Sequence, residues 1–183
     1  SGKDRSNFKK NVKDFLKFEH QKDDTPAAVK AKQASYKKMQ SEDTYKNAQF
    51  LLSCKTAEAF GLKLPILFRG SNTVRNERID DYTDEIQQKI NILQREKQFF
   101  HWELEFPQVF MDENGERKDN TGFDVILGNP PYLKEDVDKD TFRTLKLTDL
   151  KKYYQGKMDL WYFFASQSID NIKNNGIHTF ITQ

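Results

Sequence analysis

The most informative part of the sequence is Phe123-Asp124-Val125-Ile126-Leu127-Gly128-Asn129-Pro130-Pro131-Tyr132. Its first six residues form a short, mostly apolar run that is typical of a buried parallel strand. The last four residues, 129–132, follow that strand directly. Open α/β sheets bind their ligands at the carboxyl ends of their strands, so this segment is the first candidate for a functional site.

The segments that follow residues 123–132 predict an α/β arrangement. A helix is predicted from about Met158 to Lys173, with Asn174-Asn175-Gly176 as its stop signal. The residues from Ile177 to Gln183 read as a second strand, cut off in mid-course. Strand, loop, helix and strand form a βαβ crossover, which is right-handed when both strands share one sheet.

Residues 1–98 are predicted to be mainly helical. Apolar spacing and capping signals indicate four helices. The first has Phe8, Val12, Phe15 and Leu16 on one face, the second starts at Thr25-Pro26 and runs to about Met39, and the third runs from Tyr45 to Phe60. The fourth is opened by Asp80 or Asp81, and one side of it carries five apolar residues: Ile79, Tyr82, Ile86, Ile90 and Leu93. The stretch Gly70-Ser71-Asn72 is predicted to be a loop.

Between these regions the pattern changes to aromatic residues with period-2 alternation. Residues 99–106 are therefore predicted to be extended, with Pro107 closing the segment. A turn-rich loop is expected at residues 112–116.

Composition limits the class of protein. The chain has 183 residues, which suits one domain with an appendage. It is 36% hydrophobic and 32% charged, with a mean hydropathy of −0.88, yet 15 Phe, 7 Tyr and 2 Trp argue against disorder. One Cys excludes a disulfide scaffold and a thiolate-rich zinc site, which favours a reducing, cytoplasmic location. There is no apolar run long enough to span a membrane and no signal core, and Ser1-Gly2 resembles a cloning scar.

Charge is distributed unevenly along the chain. Residues 1–98 carry 20 Lys and Arg against 14 Asp and Glu, whereas residues 99–183 carry 10 against 14. A basic N-terminal segment is compatible with a polyanionic partner, but at this size it is more often a solvated helical face.

The chemistry of residues 129–132 suits transfer to a planar amine or amide nitrogen. The lone pair of such a nitrogen is delocalised, and two acceptors that hold its two hydrogens favour rehybridisation in the transition state. The Asn129 side-chain oxygen and the Pro130 carbonyl are the predicted acceptors, because consecutive prolines restrict the backbone so that both oxygens can converge. No titrating base is required. Tyr132 offers an aromatic face to a flat substrate.

These residues resemble the catalytic motif of the N6-adenine DNA methyltransferases that use S-adenosylmethionine, with the gamma-type order of motifs. Residues 159–164, Asp-Leu-Trp-Tyr-Phe-Phe, resemble the next motif of that family. Residues 100–110 are similar to the segment that precedes the catalytic motif in type IIG restriction-modification proteins and related phage-defence methyltransferases. Residues 45–65 loosely resemble their helical insertion.

The resemblance implies a fold and a set of roles. Residues 99–183 would be part of a Rossmann-like methyltransferase sheet, and residues 1–98 a helical insertion before it. Asn129 and Pro130 would bind the amine of an adenine flipped out of double-stranded DNA, and Tyr132 with Pro131 would contact the flipped base. The cofactor side would involve three residues of the second motif: Asp159, Leu160 and Phe163. For Asp159 and Phe163, helix capping and core packing are equally good interpretations.

Two parts of the family pattern are missing. Residues 1–98 contain no Gly-x-Gly for the cofactor loop, and no target-recognition domain is present. The sequence therefore suggests a piece of a larger enzyme, and the piece alone is expected to be inactive.

Three other functions are compatible with parts of the sequence. A similar Asn-Pro-Pro-Tyr serves protein glutamine methylation. Asp112, Glu116 and Lys118 have the acidic-acidic-basic order of metal-dependent nucleases, although they lie in a predicted loop. The helical half could also dock on nucleic acid or on a subunit without catalysis. His101, Trp102 and Phe106 are interpreted as packing residues, and three scattered His residues give no metal-binding spacing.

Overall fold

The computed structural model describes residues 2–69, 72–75 and 79–182, and for residues 2–8, 66–69 and 72–75 it describes the backbone only. The described chain forms two compact units. The first contains the residues up to Glu58 together with Leu62–Lys118, and the second contains Ala59–Gly61 together with the residues from Asp119 onward.

The first unit is built mainly from helices. Its elements are α1 (Gly2–Glu19), α2 (Pro26–Ser41), α3 (Asp43–Ala59), β1 (Ile66–Arg69), β2 (Asn72–Arg75), a 3-10 helix (Ile79–Asp81), α4 (Asp84–Lys97), α5 (Trp102–Glu105) and α6 (Pro107–Phe110). The predicted start of α2 is confirmed: Thr25 is its N-cap, and the Thr25 hydroxyl accepts a hydrogen bond from the Ala28 amide at 3.1 Å. Proline at the first helical position lacks the N–H that would otherwise need a partner.

A cluster of buried side chains forms a core of the first unit. Its members come from α3, from α4 and from the segment between them: Phe50, Cys54, Ala57, Tyr82 and Ile90. All five residues predicted for the inward side of the fourth helix pack in or against this group. Helix α1 contacts α2 and α6. Its Val12 and Phe15 are buried as predicted, while the Phe8 side chain lies outside the described residues.

One local prediction for the first unit is wrong, and a second is wrong only at Asn72. The fourth helix begins at Asp84 after Thr83, because Asp80 and Asp81 belong to a separate 3-10 helix. The predicted loop Gly70-Ser71-Asn72 overlaps an antiparallel hairpin, in which Arg69 pairs with Asn72. Gly70 and Ser71 themselves lie outside the described residues.

The prediction of an extended segment at residues 99–106 is also wrong. Residues 102–105 form α5, and Pro107 begins α6 instead of closing a strand. The reason is packing over long sequence separations. Leu104 is 4% exposed, and the Glu105 carboxylate accepts hydrogen bonds from the Tyr36 and Tyr45 hydroxyls, at 2.6 Å from Tyr45. Neither partner lies near Glu105 in sequence, so the local pattern carries no trace of them.

The second unit contains the predicted βαβ crossover. Its elements are β3 (Phe123–Gly128), α7 (Lys139–Leu145), a 3-10 helix (Asp149–Tyr153), α8 (Leu160–Asn171) and β4 (Ile172–Phe180). Strands β3 and β4 pair in parallel, with Ile126 opposite His178 and Gly128 opposite Phe180. This mixed helix and strand arrangement is consistent with an α/β methyltransferase-like domain.

The predicted stop signal after the second unit's long helix is wrong. Helix α8 ends at Asn171, and residues 174–176 lie inside β4. The register is irregular there, because Phe123 pairs with Ile172 while Val125 already pairs with Ile177. Turn-forming residues thus make a bulge within a strand, and Asn175 adopts a φ of +68°.

Strand β3 is less buried than predicted. Val125 is 50% exposed and Leu127 is 72% exposed, whereas Ile126 on the other face is partly covered. The apolar run therefore predicted the strand and its parallel pairing correctly, but one face has no covering layer among the described residues. The core of this unit lies around Phe142 and Phe163, whose rings meet edge to face at 5.8 Å.

The Glu105 carboxylate gives a test of the packing that replaces the predicted strand. Burial, followed by the hydrogen bond to Glu105, raises the pKa of Tyr36 to about 12 and raises that of Tyr45 as well. We expect Glu105→Ala to lower the free energy of unfolding by about 1–3 kcal/mol, because it leaves two partly buried hydroxyls without their acceptor. Chemical denaturation measures the change.

Glu103→Ala is the matched control on the same short helix. Glu103 pairs with Arg117 at 2.7 Å, but both side chains are largely exposed, so the loss should stay below about 1 kcal/mol. Equal effects of the two variants would contradict the role assigned to Glu105.

Candidate active site

The candidate site begins where β3 stops pairing with β4. Gly128 is the last paired residue of β3, and the Ile181 amide donates to its carbonyl at 3.0 Å. A Cβ at position 128 would lie 2.8 Å from the Phe180 ring, so any other residue there would force this ring to shift. Asn129 follows at the carboxyl edge of the sheet, as the sequence predicts.

Tyr132 is anchored to the end of β4. Its hydroxyl donates to the Ile181 carbonyl at 2.6 Å and lies 3.4 Å from the Asn129 Oδ1. One hydroxyl proton serves one strong bond, and the short distance assigns it to Ile181. The side chain remains 38% exposed, so the aromatic ring is held in place and is still accessible.

The two predicted acceptor oxygens keep their hydrogen-bonding capacity. Asn129 is exposed. Among the described residues, the one hydrogen-bond donor within reach of its Oδ1 is the Tyr132 hydroxyl, at the long distance of 3.4 Å. Within the described part of the chain, no donor is bonded to the Pro130 carbonyl. Pro130 is buried and Pro131 is exposed, so the first proline fixes the backbone within the unit. That the two oxygens act together on one ligand stays a prediction from the sequence.

The second sequence motif holds the first one by hydrogen bonds. The Asp159 Oδ1 accepts from the Leu133 amide at 3.0 Å, and the Leu160 amide donates to the Leu133 carbonyl at 2.7 Å. Both polar groups of the residue after Tyr132 are thus bonded to the start of α8. Asp159 occupies the N-cap position of α8, but its side chain makes no capping bond.

Phe163 lies in the core of the second unit. It is 2% exposed and packs against the rings of Phe142 and Tyr154, at 5.8 and 6.5 Å between centroids. Its neighbours Tyr162 and Phe164 on α8 are each more than two-fifths exposed. The predicted cofactor contacts of residues 159, 160 and 163 stay predictions, and each of these residues also has a role within the protein.

A further polar group near the motif was not found from the sequence. The Glu135 carboxylate accepts from the Lys146 ammonium at 2.6 Å and from the Tyr154 hydroxyl at 2.8 Å, and its own amide donates to the Met158 carbonyl. The hydrogen bond from Lys146, followed by that from Tyr154, lowers the pKa of Glu135. The partners meet only when α7 folds back, so no local signal marks them. The structural anchors Ile181 and Leu133 act through their backbones, which residue identity does not reveal.

The three nuclease candidates do not converge on one point. The Asp112 carboxylate accepts from the Asn114 and Glu116 amides and stabilises the predicted turn. Glu116 pairs with Lys9 at 3.1 Å, and Lys118 donates to the Gln108 carbonyl. Among the residues that the structure describes, no group of His, Cys, Asp and Glu could hold a metal ion.

The aromatic segment before the site packs within the first unit. His101 Nε2 lies 3.0 Å from the Ser53 hydroxyl, and burial lowers the pKa of His101. Trp102 stacks on Phe106 with 6.0 Å between ring centroids. These contacts agree with the interpretation of all three as packing residues.

A parallel βαβ unit whose candidate site lies at the carboxyl edge of its strands is consistent with an α/β methyltransferase-like domain. A comparison with protein families gives the particular family: the model of the Eco57I restriction-modification methylase matches residues 32–183. The chain belongs to this family, whose members are methyltransferases of restriction-modification systems and act on DNA. No curated protein and no solved structure matches the chain.

None of the helices in the described ranges, 2–69 and 79–182, combines the length and the apolar composition that crossing a bilayer requires.

The bond from the Leu133 amide to Asp159 can be tested by hydrogen exchange. We expect Asp159→Ala to speed exchange of the Leu133 amide about tenfold or more, because a bond to a charged acceptor contributes about 1.5–3 kcal/mol. Asp159→Asn keeps an acceptor oxygen and should restore most of the protection. Amide exchange followed by NMR measures both variants.

Asp138→Ala serves as the control for that experiment. Asp138 is the N-cap of α7 and accepts from the Thr141 amide at 3.1 Å. Loss of the Asp138 carboxylate should speed hydrogen exchange of the Thr141 amide and leave the Leu133 amide protected. Protection of Leu133 that survives Asp159→Ala would contradict the contact.

Proposed function

We propose that the protein is the catalytic part of a DNA adenine-N6 methyltransferase of a restriction-modification or phage-defence system. The observation that carries the proposal is the pair of acceptors at the end of β3. Asn129 Oδ1 and the Pro130 carbonyl follow each other directly and have no strong donor among the described residues. The exocyclic amine of adenine has two N–H groups and fits such a pair.

The acceptors would act by changing the electronic state of the amine. In free adenine the N6 lone pair is delocalised into the ring, which makes the nitrogen a poor nucleophile. Hydrogen bonds from both N–H groups to Asn129 and Pro130 favour the pyramidal nitrogen of the transition state, in which the lone pair is available. No residue has to take a proton from the amine before transfer.

Tyr132 would hold the base. An adenine inside a duplex is out of reach, so it has to be flipped out at a cost of a few kcal/mol. Stacking on an aromatic ring contributes about 1–3 kcal/mol per base, which offsets much of that cost. The bond to the Ile181 carbonyl fixes the ring before the base arrives, so less conformational entropy is lost on binding.

S-adenosylmethionine is the methyl donor that methyltransferases of this kind generally use. Asp159, Leu160 and Phe163 are the residues proposed for its side of the site, and two of them also have a role within the protein: Asp159 Oδ1 is bonded to Leu133 and Phe163 is buried in the core. The sequence has no Gly-x-Gly, so the described residues are proposed chiefly for the acceptor side of the reaction.

The proposal includes the organisation of the chain. Residues 1–98 are proposed to be a helical insertion, and residues 99–183 part of a Rossmann-like methyltransferase sheet. The whole enzyme is proposed to be a cytoplasmic type IIG protein with the gamma-type order of motifs. The partner is double-stranded DNA that contains the target adenine.

The function can be tested in a host that lacks adenine methylation. We expect the intact enzyme to produce N6-methyladenine in one sequence context, and Asn129→Ala to reduce kcat at least about 100-fold, as the loss of one transition-state hydrogen bond does elsewhere. Single-molecule sequencing of host DNA measures the modification, and a methyl-transfer assay with the purified protein measures kcat.

Asn91→Ala is the control, because Asn91 is an exposed asparagine on α4. It should leave methylation unchanged. Unmodified DNA from soluble wild-type enzyme, together with methylated glutamine in a protein substrate, would replace the proposal with glutamine methylation.

Tyr132 allows stacking to be separated from anchoring. Tyr132→Phe keeps the ring and removes only the bond to Ile181, so we expect less than about a tenfold change in kcat/KM. Tyr132→Ala removes the ring and should raise KM for DNA by about 10- to 100-fold, in line with the stacking energy. Steady-state kinetics on a DNA duplex distinguishes the two. An alanine variant with wild-type KM would contradict stacking.

A further inference from the structure

The second unit contains a cavity that the proposed chemistry does not use. Its volume is about 510 Å³, and it lies between α7 and the segment that leads into α8. Four cationic side chains line it: Lys139, Arg143, Lys146 and Lys157. Two carboxylates, Glu135 and Asp136, lie on the same walls.

The cations are concentrated at this cavity. Residues 119–183 contain eight Lys and Arg, and four of them line it. The other positions of residues 99–183 carry 12 Asp and Glu against six Lys and Arg. A cationic concavity in an otherwise acidic segment favours the binding of an anion.

One of the four cations, Lys146, already forms an ion pair within the protein. The Lys146 ammonium bonds to Glu135 at 2.6 Å and lies 4.0 Å from the centre of the Tyr154 ring. This pair neutralises Glu135 and builds the inner wall of the cavity. The other carboxylate, Asp136, is exposed.

The remaining three cations are available to a ligand. Lys139 and Lys157 form no ion pair with any residue that the structure describes. Arg143 pairs with Asp140 at 3.1 Å, but these side chains are 76% and 88% exposed, so the pair contributes little and Arg143 can exchange its partner. Lys139 and Arg143 are four residues apart on α7 and thus lie on one face of the helix.

The cavity is tied to the candidate active site by the backbone. Glu135, on the cavity wall, comes three residues after Tyr132. The Glu135 amide donates to the Met158 carbonyl at 3.0 Å, next to the bonds that join Leu133 to residues 159 and 160. An anion in the cavity would therefore be held at a fixed place relative to Tyr132.

We propose that this cavity binds a backbone phosphate of the DNA substrate close to the flipped nucleotide, with Lys139, Arg143 and Lys157 as its phosphate-binding residues. The proposal rests on the proposed function. Phosphates supply most of the binding energy of DNA-binding proteins and set their position on the duplex. The Tyr154 ring and Leu147 add an apolar wall that suits the adjoining sugar.

The salt dependence of DNA binding tests the proposal. We compare the full-length wild-type protein with the triple variant Lys139→Gln/Arg143→Gln/Lys157→Gln. Fluorescence anisotropy measures the binding of labelled duplexes between 50 and 300 mM salt, a range over which the Debye length falls from about 14 Å to about 6 Å. Each lost phosphate contact lowers the slope of log K against log salt by about 1. Because one phosphate contact is lost, we expect a slope smaller by about 1 and a dissociation constant raised about tenfold or more on every sequence.

A charge-matched control separates this site from general electrostatics. Lys22→Gln/Lys30→Gln/Lys37→Gln removes the same charge from exposed positions in the first unit. This variant should keep the wild-type slope. All six substituted side chains are exposed, so both variants should fold as the wild type does. Thermal unfolding midpoints equal to that of the wild type would show it.

The outcomes are distinguishable. A wild-type slope in the first variant, or a loss seen only in the control, overturns the phosphate site and leaves the proposed function intact. Wild-type protein that binds no DNA overturns both. Saturable binding of inorganic phosphate to the wild-type protein that is lost in the triple variant, while the variant keeps the wild-type slope and affinity for the duplex, would identify a free phosphate ion as the ligand and overturn the assignment to DNA.

Discussion

Parallel pairing of β3 with β4 determines where every part of the candidate site lies. Because Gly128 pairs with Phe180, both strands end at the same edge of the sheet, and the residues after each strand meet there. The Tyr132 hydroxyl reaches the Ile181 carbonyl at 2.6 Å only in this register. A shift of one residue would move the side chains of a strand to its opposite face and separate these groups.

Hydrogen bonds to the backbone groups of Leu133 then fix the motif. Leu133 is bonded through its amide to Asp159 and through its carbonyl to Leu160, so the start of α8 holds the segment that follows Tyr132. Meanwhile Asn129 Oδ1 and the Pro130 carbonyl are left without strong donors among the described residues. An acceptor on a restricted backbone, such as the Pro130 carbonyl, need not reorganise during a reaction, which is the condition for electrostatic catalysis.

The sequence predicts the second unit better than the first. Residues 123–128 form the predicted strand, and their parallel partner follows after a helix, because a βαβ unit depends on short apolar runs and a helical segment that are visible locally. Residues 102–105 are helical instead of extended, because Glu105 bonds to Tyr36 and Tyr45 far away in the sequence. Alternation of apolar residues cannot report such partners.

The same distinction applies within the candidate site. Asn129 and Tyr132 are identifiable from residue type and from their place after a strand. The bulge at Asn174-Asn175-Gly176 was predicted as a helix end, since turn residues look alike in either setting. The partners of Glu135 come from α7 and the segment before α8, so only the folded chain brings them together.

The central claim is that Asn129 and Pro130 hold the amine of a flipped adenine. A structure of the intact enzyme bound to DNA with its target adenine tests it most directly. The account predicts that adenine N6 lies within about 2.7–3.2 Å of both the Asn129 Oδ1 and the Pro130 carbonyl oxygen, which is the range of an N–H···O hydrogen bond. An adenine that remains stacked in the duplex, or whose N6 contacts neither oxygen, would contradict it.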